Sequence, residues 1–223
     1  MRHFDVEIKD LQNHLINMAS IVQNMINAAT QSLSNKNQIS SGNVLSLEKE
    51  VNIQEIVIDD KCLKLIALNQ PVGADLRFIT SAMKINSDLE RMGDEAVNIN
   101  NKTCDLEKIE NCKPFETTQK MVAAVQTMVM DSIKAFNTSD IVLAQSVLKK
   151  DDEVDDLNDS VLDDIKTLLA NTNNPEEIQT AIDLIFISKS IERLGDHATN
   201  ISEDVIFMIN GKDVRHPKLK QKQ

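Results

Sequence analysis

The stretch ERMGDEAVNI, residues 90–99, returns as ERLGDHATNI at residues 192–201. Seven of the ten positions are identical across an offset of 102 residues, among them both acids, the glycine and the asparagine. On an α-helix Glu90 and Asp94 share a face, as do Glu192 and Asp196, because residues four apart are neighbours one turn along. Asn98 and Asn200 extend each row by another turn. Like charges at this spacing cost a helix about 0.2–0.5 kcal/mol per pair, and a glycine inside it costs about 1 kcal/mol relative to alanine. A locally unfavourable pattern written twice needs a cause. For Gly93 and Gly195 that cause is the close approach of a neighbouring helix.

The duplication extends outward. EVNIQEIVIDDKCLKLIA (50–67) aligns with EVDDLNDSVLDDIKTLLA (153–170) at an offset of 103, apolar position on apolar position. Ile8, Leu11, Leu15, Met18, Val22, Met25 and Ala29 recur at steps of three and four, one apolar helical stripe. This first helix is expected to fade in the polar stretch 34–43. A second runs over about 44–68 and stops ahead of Pro71, which restricts the residue before it. A third spans about 74–105, with Asp75 as its cap. The break at 110–114 reads as a linker. The scheme then repeats over 115–136, where Met121, Val122, Val125, Met128, Val129 and Ser132 keep helical spacing. NTSD (137–140) supplies capping residues for a fifth helix reaching about 169. NTNNP (171–175) is a turn with Pro175 opening the sixth helix, which runs to about 209 and stops at Gly211. Short connections imply antiparallel neighbours. The fold class is all-α: two tandem antiparallel three-helix bundles with pseudo-two-fold symmetry, spanning 1–110 and 111–211, followed by a basic tail at 212–223.

Composition agrees with long helices: five Gly, four Pro, no Trp and no Tyr. The net charge of −11 argues against nucleic acid as a partner, which demands a basic face. No apolar run is long enough to span a bilayer, and MRHFDVEIKDL lacks the apolar segment of a signal peptide. Cys62, Cys104 and Cys112 are an odd number without metal-type spacing, as expected of reduced thiols in a cytosolic protein.

Asp151 and Asp155 form a third acidic pair, early in the fifth helix. Measured from the turn near Asn173, Asp155 and Glu192 lie at matching heights on an antiparallel pair, and so do Asp151 and Asp196. In the first half, measured from Pro71, Asn52 matches Glu90 and Glu48 matches Asp94. Converging carboxylates without His or Cys suit hard cations such as Mg²⁺, Mn²⁺, Ca²⁺ or iron; the bland alternative is a solvated acidic face. Arg91 and Arg193 point elsewhere and are read as ion pairs to neighbouring helices, and His197 as a polar surface residue. Catalysis finds little support. There is no nucleophile elbow, P-loop or dinucleotide turn, and no Glu-x-x-His motif of the kind di-iron bundles use.

The segments LIALNQPVGADLR (65–77), DLERMGDEAVNI (88–99), DDEVDDL (151–157), SIERLGDHATNI (190–201) and GKDVRH (211–216) together resemble the PhoU family, regulators of bacterial high-affinity phosphate uptake. The resemblance implies multinuclear metal clusters held by motifs of Glu or Asp, three residues, then Asp. These fall on Glu90 with Asp94, Asp151 with Asp155, and Glu192 with Asp196; the fourth is Glu48 with Asn52, where an amide replaces an acid and a weaker first site is expected. The implied metals are iron, zinc, manganese or magnesium. The implied role is non-enzymatic: a cytoplasmic adaptor and negative regulator of the phosphate-starvation response, linking the ATPase subunit of the phosphate ABC transporter to a membrane sensor histidine kinase. It reaches the membrane only through these partners and forms a homodimer. The alternatives are a carboxylate-metal enzyme, an accessory protein of a different phosphate transporter, or a purely structural helical protein.

Overall fold

The computed structural model describes residues 3–34, 41–106 and 115–215. They form six helices: α1 (His3–Ser34), α2 (Ser41–Asn69), α3 (Gly73–Leu106), α4 (Glu116–Thr138), α5 (Ile141–Asn171) and α6 (Pro175–Asn210). No strand occurs among the described residues.

Each helix buries the face its sequence pattern marks. In α1 the residues Leu11, Leu15, Met18, Val22, Met25 and Ala29 are all buried. The stripe in α2 is narrower and repeats every seven residues: Val44, Val51, Ile58 and Leu65. In α5, Val147, Val154 and Val161 do the same, each 103 residues after its α2 counterpart. A seam this narrow belongs to a helix covered on one side only. The contacts bear this out: α2 touches α1 and α3, α5 touches α4 and α6, and neither touches the other half. By contrast α3 packs on α1, α2 and α6, and its face against α6 is the most extensive helix contact in the molecule. A smaller contact joins α1 to α4. Two three-helix bundles thus share an inner quartet, α1, α3, α4 and α6, flanked by α2 and α5.

The helix ends follow local chemistry. The Asp140 carboxylate accepts from the Leu143 amide at 3.0 Å and caps α5. Asn174 accepts from the Glu176 amide at 3.0 Å, with Pro175 opening α6. Gly211 closes α6 with φ at 72°, where a side chain would be strained. Two expectations shift. The second helix begins at Ser41, so its first turn includes residues assigned to the polar break. Asp75 lies inside the first turn of α3, where it favours the helix dipole rather than capping the end. Residues 35–40, the proposed linker with Cys112, and the tail from 216 onward lie outside the described residues. Cys62 and Cys104 are free thiols, and burial followed by the nearby Asp59 pushes the Cys62 thiol up to about 12.

Candidate functional site

The duplicated stretch lies where α3 and α6 cross the middle of their bundles. A Cβ built on Gly93 would meet Val51 Cγ1 of α2 at 3.5 Å and Met25 Cε of α1 at 3.6 Å. On Gly195 it would meet Val154 Cγ1 of α5 at 3.6 Å, Val125 Cγ2 at 3.8 Å and Met128 Cε of α4 at 3.9 Å. The three helices of each bundle therefore converge on the glycine in the same way. The approach is made by side chains at ordinary contact distance rather than by backbone, so each site could still take one methyl group. Immediately beside the glycines, Asp94 and Asp196 face the rims of two grooves, α2/α3 and α5/α6.

Acids of the facing helices influence one another's charge across these grooves without gathering into a cluster. In the α5/α6 groove, burial and then Asp155, Asp196, Asp152 and Glu192 push the Asp151 carboxyl up to about 6. Asp155 is raised by burial and then by Glu192, Asp152 and further acids of α5. Asp196 is raised by burial and Glu192, with Lys189 and His197 opposing. Glu192 is bridged by Lys189 on its own helix. In the α2/α3 groove, burial, Asp94 and Glu55 raise Glu90, and burial, Glu48 and Glu95 raise Asp94. Asn52 donates its amide to Glu48 Oε1 at 3.0 Å. One member of this groove was missed in the sequence: Glu55, raised by burial and by Asp59 and Asp94. It stands seven residues after Glu48, the spacing that keeps side chains on one helical face.

Asn98 and Asn200 leave the rows. They donate to Glu95 Oε2 and to Asp88 Oδ1, each at 3.2 Å, in the seam between α3 and α6. There Arg193 reaches Glu95 Oε1 at 3.0 Å, the expected ion pair. Burial alone would raise Glu95, but hydrogen bonds with Ser190, Asn98 and Arg193 hold it below the usual range. The counterpart is different: Arg91 makes no ion pair among the described residues, because His197 occupies the position equivalent to Glu95. His197 is not a surface residue; its Nδ1 sits 2.8 Å from Asp88 Oδ1, with both side chains mostly buried. Lys84 with Asp204 at 2.8 Å and Lys102 with Asp183 at 3.0 Å complete the seam.

The donor set of the grooves is all oxygen, the donor chemistry that hard cations prefer; in the first groove Arg91 offsets part of the charge at Glu90. Among the described residues no three His, Cys, Asp or Glu side chains are gathered closely enough to hold a metal ion. The acids are strung along the grooves.

A tandem pair of three-helix bundles, each with an acidic row beside a buried helix glycine, defines a class of duplicated helical protein, and comparison places it. The sequence profile of the PhoU domain matches twice, at residues 15–103 and 118–205. The chain belongs to the PhoU family. It is 33% identical over 216 residues to a protein of Pseudomonas aeruginosa, covering 96% of this chain and 88% of that one. It is 36% identical over 216 residues to one of Aquifex aeolicus, covering 97% of each. Both are named phosphate-specific transport system accessory protein PhoU homolog. The crystal structure of PhoU from P. aeruginosa superposes with a TM-score of 0.89 at 32% identity, over 94% of this chain and 100% of that one. The phosphate transport system regulatory protein PhoU from Streptococcus pneumoniae gives 0.87 at 26% identity, over 95% and 99%. No helix among the described residues is long and apolar enough to cross a membrane.

Proposed function

We propose that this chain is an accessory and regulatory protein of phosphate-specific transport. It acts as a cytoplasmic adaptor between the ATPase subunit of a phosphate ABC transporter and a membrane sensor histidine kinase. It restrains uptake and the starvation response while phosphate is plentiful, and it works as a homodimer. The observation that carries this reading is the match, along both bundles, to relatives named as accessory proteins of that transport system. The grooves add a cation. Asp151, Asp155, Glu192 and Asp196 hold it in the second half, and Glu48, Glu90 and Asp94, on the row that includes Asn52, in the first. Oxygen-only donors favour magnesium, manganese or iron over zinc. A bound cation supplies positive charge that relieves the mutual repulsion of the acids and fixes α5 against α6 and α2 against α3.

The test has two arms. Purified chain is passed over the ATPase subunit and over the kinase's cytoplasmic part, with Mn²⁺ and with chelator, and its mass is read by light scattering. In cells, the gene is deleted and a phosphate-starvation promoter is read in high phosphate. Association with either partner and a derepressed promoter support the adaptor. No association and an unchanged promoter remove it.

A further inference from the structure

The seam Val44, Val51, Ile58 and Leu65 buries one side of α2. On the opposite side Lys49, Ile53, Ile56, Asp60 and Leu63 recur at steps of four, three, four and three, a second stripe at coiled-coil spacing. All five are exposed, Ile53 at 61%, Ile56 at 70% and Leu63 at 58%. Helix α2 touches α1 and α3 alone among the described helices, so none of them covers this face. The duplicated half supplies a control. On the 103-residue offset, Lys49, Ile53, Ile56 and Asp60 match Asp152, Asp156, Asp159 and Asp163 of α5, all exposed. The same outer face folds with four aspartates, so the fold does not require the isoleucines. An exposed apolar stripe of this kind marks a contact with another molecule.

The order of the residues names that molecule. Read along α2, the stripe runs positive, apolar, apolar, negative. A second α2 laid antiparallel about a two-fold axis between residues 54 and 55 sets Ile53 against Ile56 of the other copy and Lys49 against its Asp60, each of them twice. An apolar centre is then closed at both ends by an ion pair. Lys49 forms no ion pair among the described residues. Asp60 holds Lys64 of its own helix, an exposed pair that contributes little and leaves the carboxylate available. The stripe carries one charge of each sign, so copies of a chain with net charge −11 can approach here without adding like charge. The α5 face cannot pair this way. Its aspartates would stand against one another, or against the isoleucines of α2.

We propose that Lys49, Ile53, Ile56 and Asp60 form the contact through which two copies of this chain associate, α2 antiparallel to α2. The inference rests on the homodimer reading above and adds the face and the register to it. The stripe is about 25 Å long, which places the contact at the small end of specific interfaces and makes the dimer reversible.

The experiment reads the mass of the full chain in chelator by sedimentation equilibrium over a range of concentrations. Ile53→Asp combined with Ile56→Asp copies the residues of α5 and is expected to raise the dimer Kd at least about a hundredfold. Lys49→Asp and Asp60→Lys each set like charges together at both ends and should raise it at least about tenfold. An equimolar mixture of these two single variants, or one chain carrying both changes, should return to within about threefold of the parent, because opposite charges then face each other again. Circular dichroism confirms that each variant is folded. An unchanged Kd in the isoleucine variant overturns the assignment while the homodimer reading stands. So does an intact dimer that has instead lost the ATPase subunit or the kinase, which gives the face to that partner. Charge variants that fail to complement one another overturn the register. A parent chain that is monomeric at every concentration removes the homodimer reading, and this inference with it.

Discussion

Replacing Asp151 by Asn should stabilise the metal-free protein at neutral pH, and only there. Its carboxyl is moved from 3.8 to about 6 by burial and by four neighbouring acids. At about 1.4 kcal/mol per pH unit, that corresponds to roughly 3 kcal/mol against the ionised fold. The groove is open to solvent on one side, and screening reduces the figure to about 1–2 kcal/mol. Because the folded pKa is raised, the folded chain holds the proton more tightly than the unfolded one between 3.8 and about 6. Stability is thus lost as pH rises through that window and is not lost below it. Asp151→Asn removes the penalty. In thermal denaturation with chelator at pH 7.5 it should raise Tm by about 2–8 °C, at roughly 2–4 °C per kcal/mol for a chain of this size. At pH 4 the gain should vanish. Saturating Mn²⁺ should reverse the order: a cation at 100 times its Kd adds about 2.7 kcal/mol to the parent, and less to the variant that has lost a ligand. A variant that is less stable than the parent at pH 7.5 in chelator, or one whose gain is the same at pH 4, refutes the picture of uncompensated repulsion.

Other perturbations follow from distances. Gly93→Ala and Gly195→Ala place a methyl at 3.5 Å or more from its neighbours, so each should be neutral or stabilising by up to about 1 kcal/mol in urea unfolding. Gly211→Ala forces a side chain into φ 72° and should cost about 1 kcal/mol by the same measurement. Lys102→Met leaves Asp183, 1% exposed, with Gln179 as its remaining hydrogen-bond donor, and should cost about 2–4 kcal/mol. Arg193→Ala removes one of three partners of Glu95 and should cost about 1–3 kcal/mol, most of it regained on lowering the pH, as Glu95 is then able to take up a proton.

The helices and most of their ends were legible because each depends on its own residues: a stripe at steps of three and four, capping residues at 137–140, Pro175 as an opening, Gly211 as a stop. The acidic pairs were legible because four-residue spacing fixes a shared face whatever the surroundings. Glu55 escaped for another reason: Glu55 and Asp59 also stand four residues apart, but that pair has no copy in the second half, where Asn158 replaces Glu55. Its place beside Asp94 depends on how α2 lies against α3. An available signal was the exchange of acid and amide between 52/55 and 155/158. The seam was hidden for a related reason. Asp183 and Asp204 sit in ordinary-looking charged helix sequence and are buried only because α3 meets α6, and Asn98 and Asn200 turn toward that seam although their spacing continues the acidic rows.

The polar pairs across α3 and α6 also decide which half can pair with which. Asp88 and Ser190 occupy equivalent positions, as do Glu95 and His197, and Lys102 and Asp204. Were the first half to associate with a copy of itself through this seam, Asp88 would stand against Glu95 and Lys84 against Lys102. Two second halves would set Asp204 against Asp183 and Arg193 against His197. The mixed pairing brings acid to base at four places, Glu95 with Arg193, Asp88 with His197, Lys84 with Asp204 and Lys102 with Asp183. After duplication, then, the two copies have become complementary rather than interchangeable: like-charge contacts penalise self-pairing, and a product cleaved between α3 and α4 should reassemble as a one-to-one complex of unlike halves.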